Sequence, residues 1–324
     1  MRILITGIGG FVGSHLAAHL TLVQPDAELH GTTMPTLPVQ QRGGHAALHP
    51  VDLRDEKAAR KVIETVKPDQ IYHLAAWAIV HQSFERAWDT LENNIHLQLN
   101  VIQGCIAAGI QPRMLAVTSG EVYGADQSAE HPTPEDAPFR PSNPYAVSKV
   151  AQDMLALQYH LSHDLPIVRA RPFNHLGPGQ STGFVAPDLA SQIARIENGL
   201  QDPVIRCGDL TGERDFTDVR DIVRAYRLLM EKGEPGEAYN VSSGHTRSIR
   251  HILDLMLAEA TVSVTVQSDP GYLRSGGVRK SWGDPSRLRA LTGWEPEYPI
   301  ERTVHDVLED CRERVRQQRA SVDS

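Results

Sequence analysis

The segment Tyr145-Ala146-Val147-Ser148-Lys149 sets a phenol and an ammonium one helical turn apart, on the same face of a helix. A free tyrosine has a pKa of about 10 and is a poor acid or base at neutral pH. A neighbouring lysine favours the phenolate, and a further positive charge close by adds to the effect. Such a pair can pass a proton to or from a bound substrate. The spacing alone is common in surface helices, but here it opens a helix directly after Pro141-Ser142-Asn143-Pro144. Upstream, an apolar run ends in Val117-Thr118-Ser119-Gly120-Glu121-Val122-Tyr123-Gly124. The Ser119 hydroxyl can polarise a carbonyl oxygen where negative charge develops. Glu121 is a candidate general base or hydroxyl acceptor, or a plain loop carboxylate.

What this proton transfer serves is written at the start of the chain. In Ile3-Leu4-Ile5-Thr6-Gly7-Ile8-Gly9-Gly10-Phe11-Val12-Gly13, strand residues run into glycines and then a helix. Gly7 permits the tight turn, Gly10 lets the backbone approach a pyrophosphate, and Gly13 lets helix and strand pack closely. Phe11 and Val12 start the helix whose free N–H groups would face the phosphates. The pattern predicts a nicotinamide dinucleotide, whose oxidised ring brings a positive charge near Tyr145 and whose ribose Lys149 can hydrogen-bond.

The second strand ends Leu29-His30-Gly31-Thr32-Thr33-Met34, with no carboxylate to meet an adenine-ribose 2′-hydroxyl. Thr32 and Thr33 could donate to a 2′-phosphate, which favours NADP(H), with NAD(H) also admitted. In Val51-Asp52-Leu53-Arg54-Asp55, Asp52 is placed beside Leu53 to accept the adenine amine, or else to cap a helix. His73-Leu74-Ala75-Ala76 ends the fourth strand, and Leu74, Ala75 and Ala76 would skirt the cofactor.

The elements that must position these groups read as an α/β chain. Apolar runs at Ile3–Thr6, Glu28–Gly31, Gln70–Leu74, Arg113–Thr118 and Pro166–Arg169 read as strands, with helical spacing at Val12–Leu22 and Lys57–Val66. This alternation predicts a Rossmann doubly wound parallel sheet over residues 1–170, with about 212–242 returning to it. Residues 171–324 read as a smaller, discontinuous α/β substrate lobe. It has helical patterns at Ala186–Asn198, Val219–Glu231, Ile249–Glu259 and Ile300–Arg319, and a strand at Ala238–Val241.

Composition narrows the function classes. The 324 residues are 40% hydrophobic and 22% charged, with a formal net charge of -8 and no basic stripe, so a nucleic-acid partner is not expected. Cys105, Cys207 and Cys311 are scattered and form no CxxC pair, so neither a disulfide framework nor a metal site is indicated. The N-terminal residues lack a signal-peptide layout and no apolar run reaches a membrane span. A cytoplasmic location without a membrane partner is therefore expected.

The TGxxGFxG start, His73-Leu74-Ala75-Ala76, Ser119-x-Glu121-x-Tyr123-Gly124 and Tyr145-x-x-x-Lys149 together resemble the extended short-chain dehydrogenase/reductase superfamily. Its members include nucleotide-sugar epimerases, dehydratases and reductases. Arg171-Pro172-Phe173-Asn174-His175-Leu176-Gly177-Pro178-Gly179-Gln180, Gly183-Phe184-Val185 and Arg214-Asp215-Phe216-Thr217-Asp218-Val219 are similar to GDP-4-keto-6-deoxy-D-mannose reductases. The resemblance implies reduction of a nucleotide-sugar C4 ketone, with GDP-D-rhamnose as product. It places Asn174 and the Val185 backbone against sugar and diphosphate, and Arg214 and Arg274 as a diphosphate clamp. It also implies a homodimer through a four-helix bundle built from the helices around Trp88–Ala108 and Tyr145–Ser162.

The chain departs from the family's usual pattern at Ala78 and Ile79, where hydroxyl or imidazole groups are frequent. Gly277 stands where a carboxylate would hold the nucleotide ribose, and Gly120 where many dehydratases carry an acid. A 4,6-dehydratase using Glu121 as the base, a 4-epimerase, and a catalytically silent dinucleotide-binding scaffold are the alternatives.

Overall fold

In β1 (Arg2–Thr6), Ile3 and Ile5 enter one hydrophobic core and Leu4 enters another, so this strand is buried on both faces. That single alternation predicts the layered architecture seen in the computed structural model, which describes residues 1–36, 39, 45–126, 130–269 and 280–322. After β1 come α1 (Phe11–Val23), β2 (Glu28–Thr33), β3 (Ala46–Pro50), α2 (Glu56–Val66) and β4 (Gln70–His73). Then follow α3 (Val80–Glu85), α4 (Ala87–Ala107), β5 (Arg113–Val117), a 3-10 turn at Gly120–Asp126, α5 (Pro144–His163) and β6 (Ile167–Pro172).

The remaining chain runs β7 (His175–Leu176), α6 (Val185–Glu197), β8 (Val204–Cys207), β9 (Glu213–Asp215), β10 (Thr217–Asp218) and α7 (Val219–Lys232). It ends with β11 (Ala238–Val241), β12 (Thr246–Ser248), α8 (Ile249–Ala258), β13 (Thr265–Ser268), β14 (Lys280–Ser281), α9 (Ser286–Thr292) and α10 (Ile300–Val322). Seven parallel strands form the main sheet in the order β11-β6-β5-β4-β1-β2-β3. Order reverses at β1 and β4, the point where doubly wound sheets open a crevice. β11 pairs with β6 and so returns the chain to this sheet after β7 to β10 have left it.

One face of the sheet packs α1 and α7 through Leu16, Leu20, Val223 and Tyr226. The other packs α2, α4 and α5 through Ile63, Val101, Cys105 and Ala156. A third core joins α6, α8 and α10 through Leu189, Ile193, Ile252, Met256, Val304 and Leu308. Local chemistry sets the helix starts. The Asp55 carboxylate caps α2 by accepting from Lys57 N and Ala58 N. Asn143 caps α5 by accepting from Ala146 N at 2.7 Å, with Pro144 in the first turn. Asp52, read above as a possible helix cap, is not one; Asp55 stands nearer the first helical N–H groups and takes them.

Gly13 shows how tightly β1 and α1 meet. A Cβ there would lie 2.3 Å from Gly7 O and 2.8 Å from Ile8 Cα, both backbone atoms. Gly13→Ala should therefore cost about 1–3 kcal/mol by overpacking. It should lower the thermal midpoint and weaken dinucleotide binding together; a melt and an NADPH titration indistinguishable from wild type would contradict the close packing.

Candidate active site

Gly7, Thr32, Asp52, Leu74 and Ser119 stand at the C-terminal edge of the main sheet, where its strands give way to loops. Gly7 follows β1 with φ +72°, and its N–H donates to Thr32 O at 3.1 Å. Ile8 N donates to the same carbonyl at 3.2 Å, so the turn is stitched to the end of β2. Thr32 is buried and its hydroxyl accepts from Gly7 N at 3.3 Å. Its side chain thus supports the glycine turn rather than standing free at the strand end. α1 starts at Gly10 with no side-chain cap and no acid in its first turn. Its first N–H groups are open to an anion, and nothing at that end repels one. A dinucleotide pyrophosphate fits this cradle. Phe11 is held edge-on by His15 and stacked by His175, with ring centroids 5.5 and 6.1 Å away.

At the adenine end, the Asp52 carboxylate is engaged by Arg54 through Arg54 N at 3.0 Å and Nε at 2.9 Å. The guanidinium holds this carboxyl below the usual carboxylate range. Any adenine amine would meet an acceptor already shared with Arg54. Leu53 is buried, and its carbonyl is fixed by Asn100 Nδ2 at 2.9 Å.

After β4, the Thr6 hydroxyl accepts from Leu74 N and Ala75 N, each at 3.1 Å. With both lone pairs used, its proton goes to His73 Nδ1, 3.0 Å away. His73 therefore carries its own proton on Nε2. Burial, with the nearby Lys149 charge adding to it, pushes its pKa down to about 3, so the ring is neutral. This knot fixes the half-buried Leu74, Ala75 and Ala76 beside the Gly7 turn, where a Gly7 Cβ would lie 3.1 Å from Ala75.

The structure brings Ser119, Glu121, Tyr145 and Lys149 together. Ser119 follows β5 and accepts from Glu121 N at 3.1 Å. Its hydroxyl lies close enough to the Tyr145 phenol to favour the phenolate. Tyr145 is 8% exposed; burial raises its pKa above the ordinary tyrosine value, the Ser119 hydroxyl lowers it, and the Glu121 charge raises it. The phenol is consequently protonated at neutral pH. Lys149, 4% exposed, donates from Nζ to Val117 O at 3.1 Å and lies 5.8 Å from the Tyr145 ring centre. Burial pulls its pKa down to about 7. A proton donor, an adjacent cation and a carbonyl-polarising hydroxyl thus share one buried corner.

Three supporting residues escaped the sequence reading. Asn143, which caps α5, also donates to Glu121 Oε2 at 3.3 Å. It ties Glu121 to the start of the Tyr145 helix, and the Ser-Asn-Pro-Tyr run was the signal for it. Asn94 on α4 bonds both backbone groups of Trp77, at 2.8 and 3.1 Å, and donates to Ser148 Oγ at 2.8 Å. Asp153, one turn past Lys149, is fully buried between Arg169 and Arg171 at 2.6 and 2.8 Å. Neither Asn94 nor Asp153 carries a short-range sequence signal.

The predicted substrate groups belong to elements outside the main sheet. Asn174 is exposed, and its carbonyl accepts from Thr217 N at 3.0 Å, joining β7 to β10. Val185 is the first residue of α6, whose N-cap Phe184 makes no side-chain cap. Arg214 lies on β9, half-buried, with Nη1 donating to Glu213 O at 2.8 Å. Arg274 and Gly277 lie outside the described residues. No helix among the described residues is long and apolar enough to cross a membrane. No group of three or more His, Cys, Asp or Glu among them could hold a metal ion.

A model of the GDP-mannose 4,6 dehydratase family matches residues 4–307. The chain is 38% identical to GDP-6-deoxy-D-mannose reductase of Pseudomonas aeruginosa, over 98% of this chain and 99% of that protein. It is 28% identical to GDP-mannose 4,6 dehydratase 2 of Arabidopsis thaliana, over 99% of this chain and 89% of that one. Among solved structures, RMD from Pseudomonas aeruginosa complexed with NADPH superposes with a TM-score of 0.84 at 36% identity, covering 97% of this chain and 98% of that one. The Thermus thermophilus UDP-glucose 4-epimerase complex with NAD does so with a TM-score of 0.86 at 27% identity, covering 96% and 99%. On this match the chain belongs to the GDP-mannose 4,6 dehydratase family, within the NAD-dependent epimerases and dehydratases of Rossmann fold.

Proposed function

We propose that this protein reduces the C4 ketone of GDP-4-keto-6-deoxy-D-mannose to give GDP-D-rhamnose, using NADPH. The observation that carries the reading is the end-to-end likeness, at 38% identity, to a GDP-6-deoxy-D-mannose reductase. The site chemistry answers to it. A bound reduced nicotinamide supplies the hydride. Ser119 orients the ketone oxygen, Tyr145 gives its phenolic proton to the developing alkoxide, and Lys149 stabilises the phenolate left behind. The product is the C4 alcohol, with the proton drawn from Tyr145 and returned to it from solvent.

Gly7, Gly10, Phe11, Val12 and Gly13 would hold the pyrophosphate, Asp52 and Leu53 the adenine end, and Leu74 to Ala76 the nicotinamide side. Asn174 and the open N–H groups at Val185 would meet the sugar and diphosphate, with Arg214 and Arg274 as cations. Glu121 keeps a second reading in view: tied to Asn143 beside Tyr145, it could take a C5 proton in a 4,6-dehydratase. A dehydratase regenerates its cofactor and a reductase consumes it. Purified protein mixed with the 4-keto sugar nucleotide and NADPH should therefore oxidise one NADPH per alcohol formed. Tyr145→Phe should slow this by roughly 10²- to 10⁴-fold. Turnover without stoichiometric NADPH loss would remove the reductase reading.

The pH profile follows from Lys149. Its ammonium, with a pKa held to about 7 by burial, is charged below that pH and steadies the phenolate that forms. The kcat/KM for ketone reduction should fall as pH rises through about 7, while Lys149→Met should be slow throughout and lack that limb. A wild-type profile flat across neutrality would show that the Lys149 charge is not used.

We further infer a homodimer through α4 and α5. On α5, Val147, Met154 and Leu161 are exposed at seven-residue spacing, and on α4 Trp88 and Ile106 are exposed as well. An apolar stripe at heptad spacing suits a helix–helix seam between two copies. Light scattering should give a dimer for the wild type and a monomer for Met154→Glu. A monomeric wild type at working concentration would end this assignment.

A further inference from the structure

β12 and β9 run antiparallel with Arg247 directly opposite Arg214, Thr246 opposite Asp215 and Ser248 opposite Glu213. Directly opposed residues share a face, with Cβ atoms about 5 Å apart, and like charges in that relation repel. The strand register therefore makes two arginine side chains leave the same face of neighbouring strands. The strand's own carboxylates cannot neutralise them, because alternate residues of β9 point to the other face. There Glu213 accepts from Thr246 Oγ1 at 3.0 Å and faces Lys280 at 3.8 Å. Asp215 is fully buried and accepts from Ser243 N, Ser243 Oγ and Gly244 N at 2.7 to 2.9 Å. Arg247 is half-buried, and its side chain makes no hydrogen bond or ion pair with any described residue.

Two cationic side chains on one face, with that of Arg247 unengaged by any described residue, are what an anion of matching size relieves. From β9 the chain runs through Phe216 to β10, where Thr217 N–H donates to Asn174 O. At about 3.3 Å per extended residue, the pair lies no more than about 10 Å along the chain from that loop. This suits the reach from a sugar to the diphosphate it is linked to.

We propose that Arg247 is a diphosphate-binding residue, and that it and Arg214 form a two-pronged clamp for a nucleoside diphosphate. The proposal rests on the nucleotide-sugar reading above. Each guanidinium offers a planar fork of N–H donors that matches two phosphate oxygens. The ligand's charge cancels the repulsion that the register builds in, so the site is poised for a diphosphate.

The test is calorimetric titration of GDP into wild type, Arg247→Gln, Arg247→Lys and Arg214→Gln, with NADPH titrated into each as a control. Arg247→Gln should weaken GDP by about tenfold or more, as expected for loss of a charge-assisted contact, with NADPH affinity unchanged. Arg247→Lys, which keeps the charge and loses the fork, should fall between, and it serves as the folded comparison if the glutamine variant is unstable. GDP affinity within about twofold of wild type in Arg247→Gln, while Arg214→Gln loses it, would overturn the role of Arg247 and leave the nucleotide-sugar reading standing. A wild type that binds NADPH but no GDP at millimolar concentration would overturn both.

Discussion

Asp153 sits one helical turn beyond Lys149, and its two oxygens accept from Arg169 Nη1, Arg171 Nε and Nη2, and Thr118 Oγ1. Arg171 continues to Tyr123 Oη at 2.8 Å and Glu135 O at 2.7 Å, and Tyr123 donates to Asn240 Oδ1 at 2.8 Å. The carboxylate thereby joins the helix that carries Tyr145 and Lys149 to the end of the strand that delivers Ser119. It also ties both to β6, which carries the two arginines, and through Arg171 and Tyr123 to Asn240 on β11. Removing one partner of such a buried pair leaves an uncompensated charge, at a cost of about 3–5 kcal/mol. A helix and a loop that must agree to a fraction of an ångström are thus locked by the same group.

Burial then sets the acid–base roles in that corner. It raises the Tyr145 phenol and lowers Lys149 toward neutrality, because each charged form is disfavoured away from water. For reduction this is the useful order, with the donor protonated and the cation one small step from it. The neutral His73 contributes by adding no competing positive charge next to Lys149. Thr6 enforces that state by donating its proton to Nδ1 while its lone pairs hold Leu74 and Ala75.

How much of this could be read from the sequence depends on range. β1, the glycine turn, α2 and α5 announce themselves because periodicity, glycines and caps act over a few residues. Tyr145, Lys149, Ser119 and Glu121 were legible as a set because two short motifs carry them. β3 was harder to see, since as an edge strand it is largely exposed and lacks an apolar run. Thr32 and Asp52 were legible in position but not in partner; only the fold shows that one hydroxyl holds Gly7 and one carboxylate holds Arg54. The Asp153 network draws on residues 118, 123, 135, 153, 169, 171 and 240, and no local pattern links them. Arg247 was invisible for a different reason: its meaning lies in register, and register is set by pairing across strands.

Helix α1 and the helices of the separate core are joined by the loop from Asn174 to Gly183. His15 on α1 hydrogen-bonds Pro178 O at 2.9 Å, so the helix that would cradle the pyrophosphate also holds this loop. Asp310 on α10 accepts from Gly179 N at 2.8 Å, and Arg314 donates to Gln180 O at 3.1 Å. Asp188 accepts from Gly183 N at 2.7 Å and so sets where α6 begins. Gly179 and Gly183, at φ +88° and +98°, allow the chain to turn between these anchors. One loop is therefore pinned by α1 of the main sheet and by α6 and α10 of the separate core. A group held at Asn174 or Val185, as proposed above, would be positioned against both at once, the condition for presenting a sugar carbon to the Ser119 and Tyr145 corner.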